Sequence, residues 1–295
     1  LFATLLGSGA YMLGVALIYS IYGTVSIAFL TPLVNAGFSP LAAIAAGLML
    51  AGLMLKTALF PLHYWLPSAH AGAPAPVSAL LSALVVKASF YLILRLWLGP
   101  LQPLLAPLAW LAAALGMAAI LWGSWQAIRA DKLKRLIACS TVAQLGYLFL
   151  IFPLLASGQA LHAGLMQVYA HGFAKASMFV AAGVVIKASG HDTVAGLAGA
   201  VSHLPVTMFA FGLAGMTLMG LPPSSGFLAK WLLIEAALAQ GHWYIAGAVL
   251  AGGLLAAVYV FRILRQSFLG ASEGQPLGHV PHSLEWSAFA LAAAS

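Results

Sequence analysis

Amine side chains lie in the middle of long apolar stretches, where a charged group is costly. They belong to Lys56, Lys87, Lys175 and Lys230. Each such lysine costs about 2.5–3.5 kcal/mol in a membrane-spanning helix, and four cost roughly 10–14 kcal/mol, as much as the whole stability of many proteins. They therefore need partners or a hydrated interior. We interpret them as candidate sites of proton transfer; structural pairing with a helix end or an acid is the alternative.

One predicted helix carries polar residues at a spacing of four: Gln167, His171 and Lys175. Residues four apart lie on the same helix face. Histidine exchanges protons near neutral pH and can pass them to water or to a lysine. The spacing predicts a proton path along this face. The alternative is a histidine that only hydrogen-bonds to a neighbouring helix.

Carboxylates that would pair with these amines are scarce. Glu235 is the acidic residue inside a predicted span, five residues after Lys230, and that spacing does not put the two on one face. We expect Glu235 to serve a neighbouring helix or an exit. The lysines then either carry no charge for much of the time or pair with carboxylates outside this chain. Pairing holds the proton on the amine, and unpairing releases it.

Two histidines, His63 and His70, flank a proline and are interpreted as a gate or a path entrance. A metal site would need more ligands than the sequence offers nearby, so none is predicted. The single cysteine, Cys139, excludes a disulfide framework and a cysteine-based metal site.

The composition excludes several protein classes. Of 295 residues, 63% are hydrophobic and 6% are charged, whereas soluble domains carry about 25% charged residues. This excludes an ordinary globular enzyme, a disordered chain and a nucleic-acid binder. The net charge of +7 does not indicate a basic patch, because the basic residues are scattered through apolar segments and short loops. We predict an all-α, polytopic membrane protein.

Eight apolar segments are long enough to span a bilayer, and a ninth begins near Leu284. Leu1 already lies at a full apolar span, so we expect a fragment of a longer protein rather than a signal peptide. The predicted spans are about 2–22, 41–67, 74–98, 104–128, 136–155, 160–187, 205–240 and 242–269.

Proline interrupts two of these spans. The span 41–67 contains Phe60-Pro61 and Leu66-Pro67, and the span 205–240 contains the run from Gly220 to Gly226. Proline removes a backbone donor and breaks or kinks a helix. Broken helices of this kind are where transporters place ion sites. The alternatives are simple kinks, or two short spans in place of 205–240.

Lysine and arginine in loops predict the orientation. If the loop that follows span 104–128 is cytoplasmic, seven basic residues fall on the cytoplasmic side and Arg95 alone falls on the other. This asymmetry favours one broken helix over two short spans at 205–240. The seven are Arg129, Lys132, Lys134, Arg135, Lys187, Arg262 and Arg265.

Four runs of sequence carry a family resemblance. They are KTALFPLHYWLPSAH (56–70), DKLKRLIACSTVAQLGY (131–147), HGFAKASMF (171–179) and GLPPSSGFLAK (220–230). With them the chain resembles the antiporter-like subunits of respiratory complex I, which are related to subunits of Mrp Na+/H+ antiporters and membrane-bound hydrogenases. The run from Lys56 to His70 is the most specific of these matches.

The resemblance implies inverted repeats of five helices with one broken helix each. Residues 1–98 would end the first repeat, 99–270 would form the second, and 271–295 would be a loop and the start of a further helix. It also implies a hydrated midplane path in which a paired carboxylate controls Lys56 and Lys230 is the terminal site near the exit. The family's paired glutamate lies before the first span here, and Gln167 stands where some members carry histidine.

We therefore predict a proton-translocating subunit of a redox-driven complex, of the NADH:quinone oxidoreductase or group 4 hydrogenase type. The predicted relay consists of Lys56, Lys87, His171, Lys175, Lys230 and Glu235. No cofactor is expected in this chain; quinone, flavin and iron–sulfur chemistry would belong to partner subunits in a bacterial cell membrane. The alternatives are a Na+/H+ antiporter module of the Mrp type and a scaffold subunit that conducts nothing.

Overall fold

The computed structural model describes residues 2–37, 39–269 and 280–295. Within these ranges the regular secondary structure is helical, apart from an isolated bridge between Lys132 and Thr193. The helices are α1 (Phe2–Tyr22), α2 (Ile27–Asn35), α3 (Pro40–Thr57), α4 (Trp65–Gly72), α5 (Ala75–Leu80), α6 (Val86–Trp97), α7 (Gln102–Leu105), α8 (Ala109–Arg129), α9 (Leu133–Phe149), α10 (Gly158–Ser189), α11 (Ala200–His203), α12 (Pro205–Met219), α13 (Ser225–Ala239), α14 (Trp243–Phe268) and α15 (His282–Ala293).

Short non-α turns extend several of these helices. A π-helical turn, Leu81–Val85, joins α5 to α6 into one continuous span, and 3-10 turns lie at Ala106–Leu108, Phe152–Leu154 and Ala195–Leu197. Seven of the resulting helices are long and apolar enough to cross a membrane. The prediction of an all-α polytopic membrane protein is confirmed.

The first break differs from its prediction. Helix α3 ends at Thr57, Ala58 adopts a left-handed backbone conformation (φ +58°), and α4 begins at Trp65. Pro61 lies in this break, but Pro67 is the third residue of α4. Proline is tolerated in the first helical turn, since its missing N–H would be unpaired there anyway. The predicted interruption at Leu66-Pro67 is therefore wrong.

The second break is confirmed as the interruption of one helix. Helix α12 begins after α10 on the same side as the amino end of α9, since Leu133 N donates to Asp192 O at 3.1 Å. Helix α13 ends where Gln240 Nε2 donates to Leu154 O at 3.1 Å, beyond the other end of α9. Together α12 and α13 therefore cross once.

Basic residues near the end of α14 and in the loop between α8 and α9 lie on the same side of the helices. Arg262 donates to the backbone carbonyls of Ile128 and Ala130 in the loop between α8 and α9. This contact places the end of α14 beside the loop that carries Arg129 to Arg135. Which side faces the cytoplasm stays a prediction, as does the division into repeats, and the predicted loop at 271–279 lies outside the described residues.

Helix α9 is the centre of the bundle, and every residue from Leu136 to Phe149 is buried. Its approach to α8 depends on glycine: a Cβ at Gly116 would lie 2.6 Å from the carbonyl oxygen of Gly146. Small residues allow helix backbones to approach closely in membranes. Helix α2, by contrast, was not predicted; it is nine residues long and buries only Leu30 and Val34.

Candidate functional site

The buried central helix α9 carries a row of polar side chains. Ser140, Thr141, Gln144 and Tyr147 are each at most 2% exposed. A buried polar group is costly unless it is hydrogen-bonded. Residues of α9 and of the surrounding helices supply these hydrogen bonds, and one predicted lysine, Lys175, donates to Ser140.

Lys87 lies in α6, immediately after the π-helical turn, and is 5% exposed. Its Nζ donates to the carbonyl oxygen of Ser82 within that turn. The Ser82 hydroxyl lies 3.1 Å from the Thr141 hydroxyl, which in turn donates to Ile137 O at 3.0 Å. Ser82 therefore links Lys87 to α9, with its carbonyl bonded to the lysine and its hydroxyl bonded to Thr141.

Lys175 reaches the same carbonyl from α10. It is fully buried, and its Nζ donates to Ile137 O at 3.0 Å and to the Ser140 hydroxyl at 2.5 Å. Ile137 O thus accepts from Thr141 on one side and from Lys175 on the other. We call this group the Lys87–Lys175 cluster; its members are Ser82, Lys87, Ile137, Ser140, Thr141 and Lys175.

Lys230 forms a second group at the break between α12 and α13. It is 6% exposed, its Nζ donates to Leu218 O across the break, and it lies 4.8 Å from the centroid of the Tyr147 ring. Gln144 Nε2 also donates to Leu218 O, at 3.0 Å, and Gln167 Nε2 donates to Gln144 Oε1 at 3.0 Å. The Lys230 cluster is Gln144, Tyr147, Gln167, Leu218 and Lys230.

His171 lies between these clusters on α10, one turn from Gln167 and one turn from Lys175. It is 1% exposed, and no described residue forms a hydrogen bond with Nδ1 or Nε2. One turn of helix is about 5.4 Å long. The imidazole therefore occupies the interval that separates two hydrogen-bonded groups, with both nitrogens uncommitted.

Two predicted site residues lie apart from these clusters. Lys56 is half-buried at the end of α3, where its Cγ faces Gly7 of α1, and no described residue accepts a hydrogen bond from its Nζ. Glu235 is on the exposed face of α13. Their assignment to the relay stays a prediction.

His70 is fully buried and stacks on Phe179, with ring centroids 4.5 Å apart. His63 lies within the first break, after Pro61. In the described part of the chain, no three histidine, cysteine, aspartate or glutamate residues come together as metal ligands. The role of the two histidines as a gate or entrance stays a prediction.

Sequence reasoning missed the α9 side chains. Ser140, Gln144 and Tyr147 recur at spacings of four and three, so the rule that aligned Gln167, His171 and Lys175 would have placed them on one face. Ser82 had no such signal, because its role depends on the π-helical turn. The carbonyls of Ile137 and Leu218 had no sequence signal either, because every residue type has a backbone carbonyl.

The chain matches a family model over most of its length. Residues 1–256 match the family described as NADH:quinone oxidoreductase/Mrp antiporter, TM. The match includes α1 to α13, and with them both clusters and both broken helices.

Individual relatives agree with this match. Over 271 residues the chain is 38% identical to NADH-quinone oxidoreductase subunit N of Desulforudis audaxviator, covering 88% of this chain and 52% of the relative. It is 36% identical to NADH-quinone oxidoreductase subunit L of Mycobacterium tuberculosis, over 98% of this chain and 46% of the relative. The chain thus spans about half the length of the curated relatives it matches.

A solved structure has the same fold. The Mrp complex from Dietzia sp. DQ12-45-1b contains a chain that superposes with a TM-score of 0.89 at 27% identity, covering 99% of this chain and 62% of that one.

Proposed function

Because the chain belongs to the NADH:quinone oxidoreductase/Mrp antiporter transmembrane family, we propose that it translocates protons as an antiporter-like subunit of a multisubunit membrane complex. The protons pass along the buried polar groups of α9 and the helices around it. Electron-transfer cofactors belong to other subunits of the complex, which lies in a bacterial cell membrane.

One observation carries the proposal. Lys87, Lys175 and Lys230 come from three different helices, are almost fully buried, and donate to hydroxyls and backbone carbonyls rather than to carboxylates. In the part of the chain that the structure describes, the ion pairs involve other residues, Arg262 with Asp131 and His282 with Glu285. Amines without fixed counter-ions can gain and lose protons, whereas permanent ion pairs would hold them.

The two clusters divide the path into steps. Within the Lys87–Lys175 cluster, the hydroxyls of Ser82, Thr141 and Ser140 both donate and accept hydrogen bonds. The carbonyls of Ser82 and Ile137 only accept, so water molecules must complete the proton transfer between the two amines. His171 then accepts the proton on one ring nitrogen and releases it from the other toward the Lys230 cluster. Lys230 passes it toward Glu235 at the far end of α13, and Lys56 is the entry controlled by a carboxylate outside the described residues.

His171→Leu in the assembled complex tests the central step. Leucine has a similar volume and breaks no hydrogen bond to a described residue, because His171 makes none. We expect proton translocation by reconstituted vesicles to fall by about 100-fold or more, the usual contribution of a proton-transfer group. Thermal stability and subunit composition should remain unchanged.

His203→Leu is the matched control, since His203 is an exposed histidine at the end of α11. It should translocate protons at the normal rate. If His171→Leu pumps as fast as this control, the relay is wrong, and a scaffold subunit whose lysines are structural becomes the better reading.

Sodium–proton exchange is the second candidate, favoured by the structural likeness to the Mrp complex. Sodium requires oxygen ligands, and the carbonyls of Ile137 and Leu218 already accept hydrogen bonds from lysines. We therefore rank protons first. Translocation that requires sodium, measured in potassium buffer with and without added sodium, would reverse this ranking.

A further inference from the structure

A cavity of about 560 Å³ lies between α4, α8 and α9, and its α9 wall includes Cys139 and Val142, which flank Ser140 and Thr141. One end of it lies at the loop between α8 and α9 and at the start of α9. His63, Tyr64 and Ser68 line it from the first break and α4, Trp122 lines it from α8, and Lys132 and Arg135 line it at the start of α9.

The two basic residues of the cavity have no acidic partner among the described residues. Both nearby carboxylates are directed elsewhere: Asp131 contacts Arg262 at 3.5 Å, and Asp192 Oδ1 accepts from the backbone N–H of Lys134 at 3.2 Å. Lys132 and Arg135 therefore present two uncompensated positive charges at the surface end of the cavity.

The rest of the cavity has the length and chemistry of one lipid leaflet. It extends from the first break to the loop before α9, alongside the eight residues of α4, which span about 12 Å at a rise of 1.5 Å per residue. Half of a bilayer's hydrocarbon core is about 15 Å. Tyr64 and Trp122 are 59% and 43% exposed, so large apolar surfaces border the cavity below the charged end.

We propose that this cavity binds one anionic phospholipid. The lipid phosphate contacts Lys132 and Arg135, and an acyl chain packs along Tyr64 and Trp122. Basic pockets between membrane helices bind anionic head groups, and a soluble anion would leave the apolar walls uncovered.

Photo-crosslinking in the complete complex tests the occupant directly. p-Benzoylphenylalanine replaces Ser68, which lines the cavity and is exposed, and the complex is reconstituted with equal amounts of phosphatidylglycerol and phosphatidylcholine. The same photoreactive residue in place of Leu254, which is 72% exposed on α14, reports the bulk lipid. Mass spectrometry then gives the ratio of the two crosslinked lipids at each position.

We expect the ratio of phosphatidylglycerol to phosphatidylcholine to be at least about fivefold higher at position 68 than at position 254, the enrichment expected from one basic residue near a lipid surface. Lys132→Gln with Arg135→Gln should reduce it to the bulk value. Arg129→Gln with Lys187→Gln, which removes two exposed basic residues outside the cavity, should leave it unchanged.

Three results would overturn the proposal. They are equal ratios at positions 68 and 254, crosslinks from position 68 to a polypeptide segment, and an enrichment that survives the loss of Lys132 and Arg135. The first would indicate an ordinary lipid-facing or hydrated surface, the second a protein partner, and the third a selectivity with another cause.

Discussion

The break between α3 and α4 and the break between α12 and α13 both leave backbone carbonyls without their helical partners. Different kinds of side chain donate to these carbonyls at the two breaks. At the first break, Trp65 Nε1 donates to Leu55 O at 2.8 Å, and Ala58 N donates to the same oxygen at 3.2 Å. At the second, Leu218 O accepts from the side chains of Lys230 and Gln144. One break is closed by an indole that does not titrate, the other by a titratable amine.

This difference separates the two lysines beside the breaks. Because Trp65 closes the first break, Lys56 is not needed there and its amine remains available to a group outside the described residues. Lys230, by contrast, donates to the free carbonyl at the second break and also belongs to the proposed proton path. The first break should therefore tolerate loss of its side-chain donor without loss of transport, and the second should not.

The largest expected effect follows from Lys230→Met. Gln144 still donates to Leu218 O, so the break remains satisfied and the complex should assemble. Proton translocation should fall by about 100-fold or more, because the terminal amine is gone. Measurements in reconstituted vesicles should show no such loss for Lys187→Met, an exposed lysine. Normal pumping by Lys230→Met would show that Lys230 only satisfies the second break and transfers no protons.

Gly220→Ala should have the next largest effect. Gly220 adopts φ +79°, and a Cβ there would lie 2.6 Å from Lys230 Cδ. The left-handed conformation alone costs alanine about 1–2 kcal/mol, and the methyl group also displaces Lys230. We expect a lower melting temperature together with slower proton translocation.

Gly241→Ala is its matched control, because Gly241 has φ +76° and open space around the added methyl group. It should lose similar stability but keep its transport rate. Equal transport by the two variants would show that the position of the Lys230 side chain does not matter.

Trp65→Phe should have a smaller effect, and on stability alone. It removes the indole donor, but Leu55 O keeps the hydrogen bond from Ala58 N, so the cost should be about 1 kcal/mol. Thermal unfolding of the purified complex should detect this loss against Trp243→Phe, a tryptophan that is 73% exposed. A large fall in transport per assembled complex would contradict the structural role of the first break.

Ala58→Gly should have the smallest effect. Glycine relieves the left-handed strain at φ +58°, worth about 1–2 kcal/mol. It also deletes a buried methyl group, worth about 0.8 kcal/mol. We expect the melting temperature to stay constant or rise slightly; a clear decrease would mean that the methyl contact outweighs the strain.

The sequence predicted the parts of this structure that depend on local pattern. Hydropathy located the spans, the proline- and glycine-rich run 220–226 located the second break, and a spacing of four placed Gln167, His171 and Lys175 on one buried face. The interruption predicted at Pro67 was wrong because proline disrupts the interior of a helix but not its first turn. Helix α4 begins at Trp65, so Pro67 lies in that first turn.

The partners of the lysines could not be predicted, for a different physical reason. Lys175 and Lys230 donate to the carbonyls of Ile137 and Leu218, and a backbone oxygen has no signature in the sequence. Lys87 depends on a π-helical turn that Leu81–Val85 forms without any distinguishing residue. These partners are set by how the helices pack against one another. That packing depends on many long-range contacts at once, so no local sequence pattern predicts it.

The depth of the three buried lysines determines how a membrane voltage acts on the proposed path. Lys87 and Lys175 lie near the middle of their helices, and Lys230 lies just beyond the break between α12 and α13. On the proposed path, a charge that moves among them should therefore travel roughly parallel to the bilayer plane. A voltage performs work, about 2.3 kcal/mol per charge per 100 mV, only on movement across the bilayer. The electrical sensitivity of transport should therefore originate in the segments that connect Lys56 and Lys230 to the two aqueous phases, and substitutions at His171 should slow the current without changing its voltage dependence.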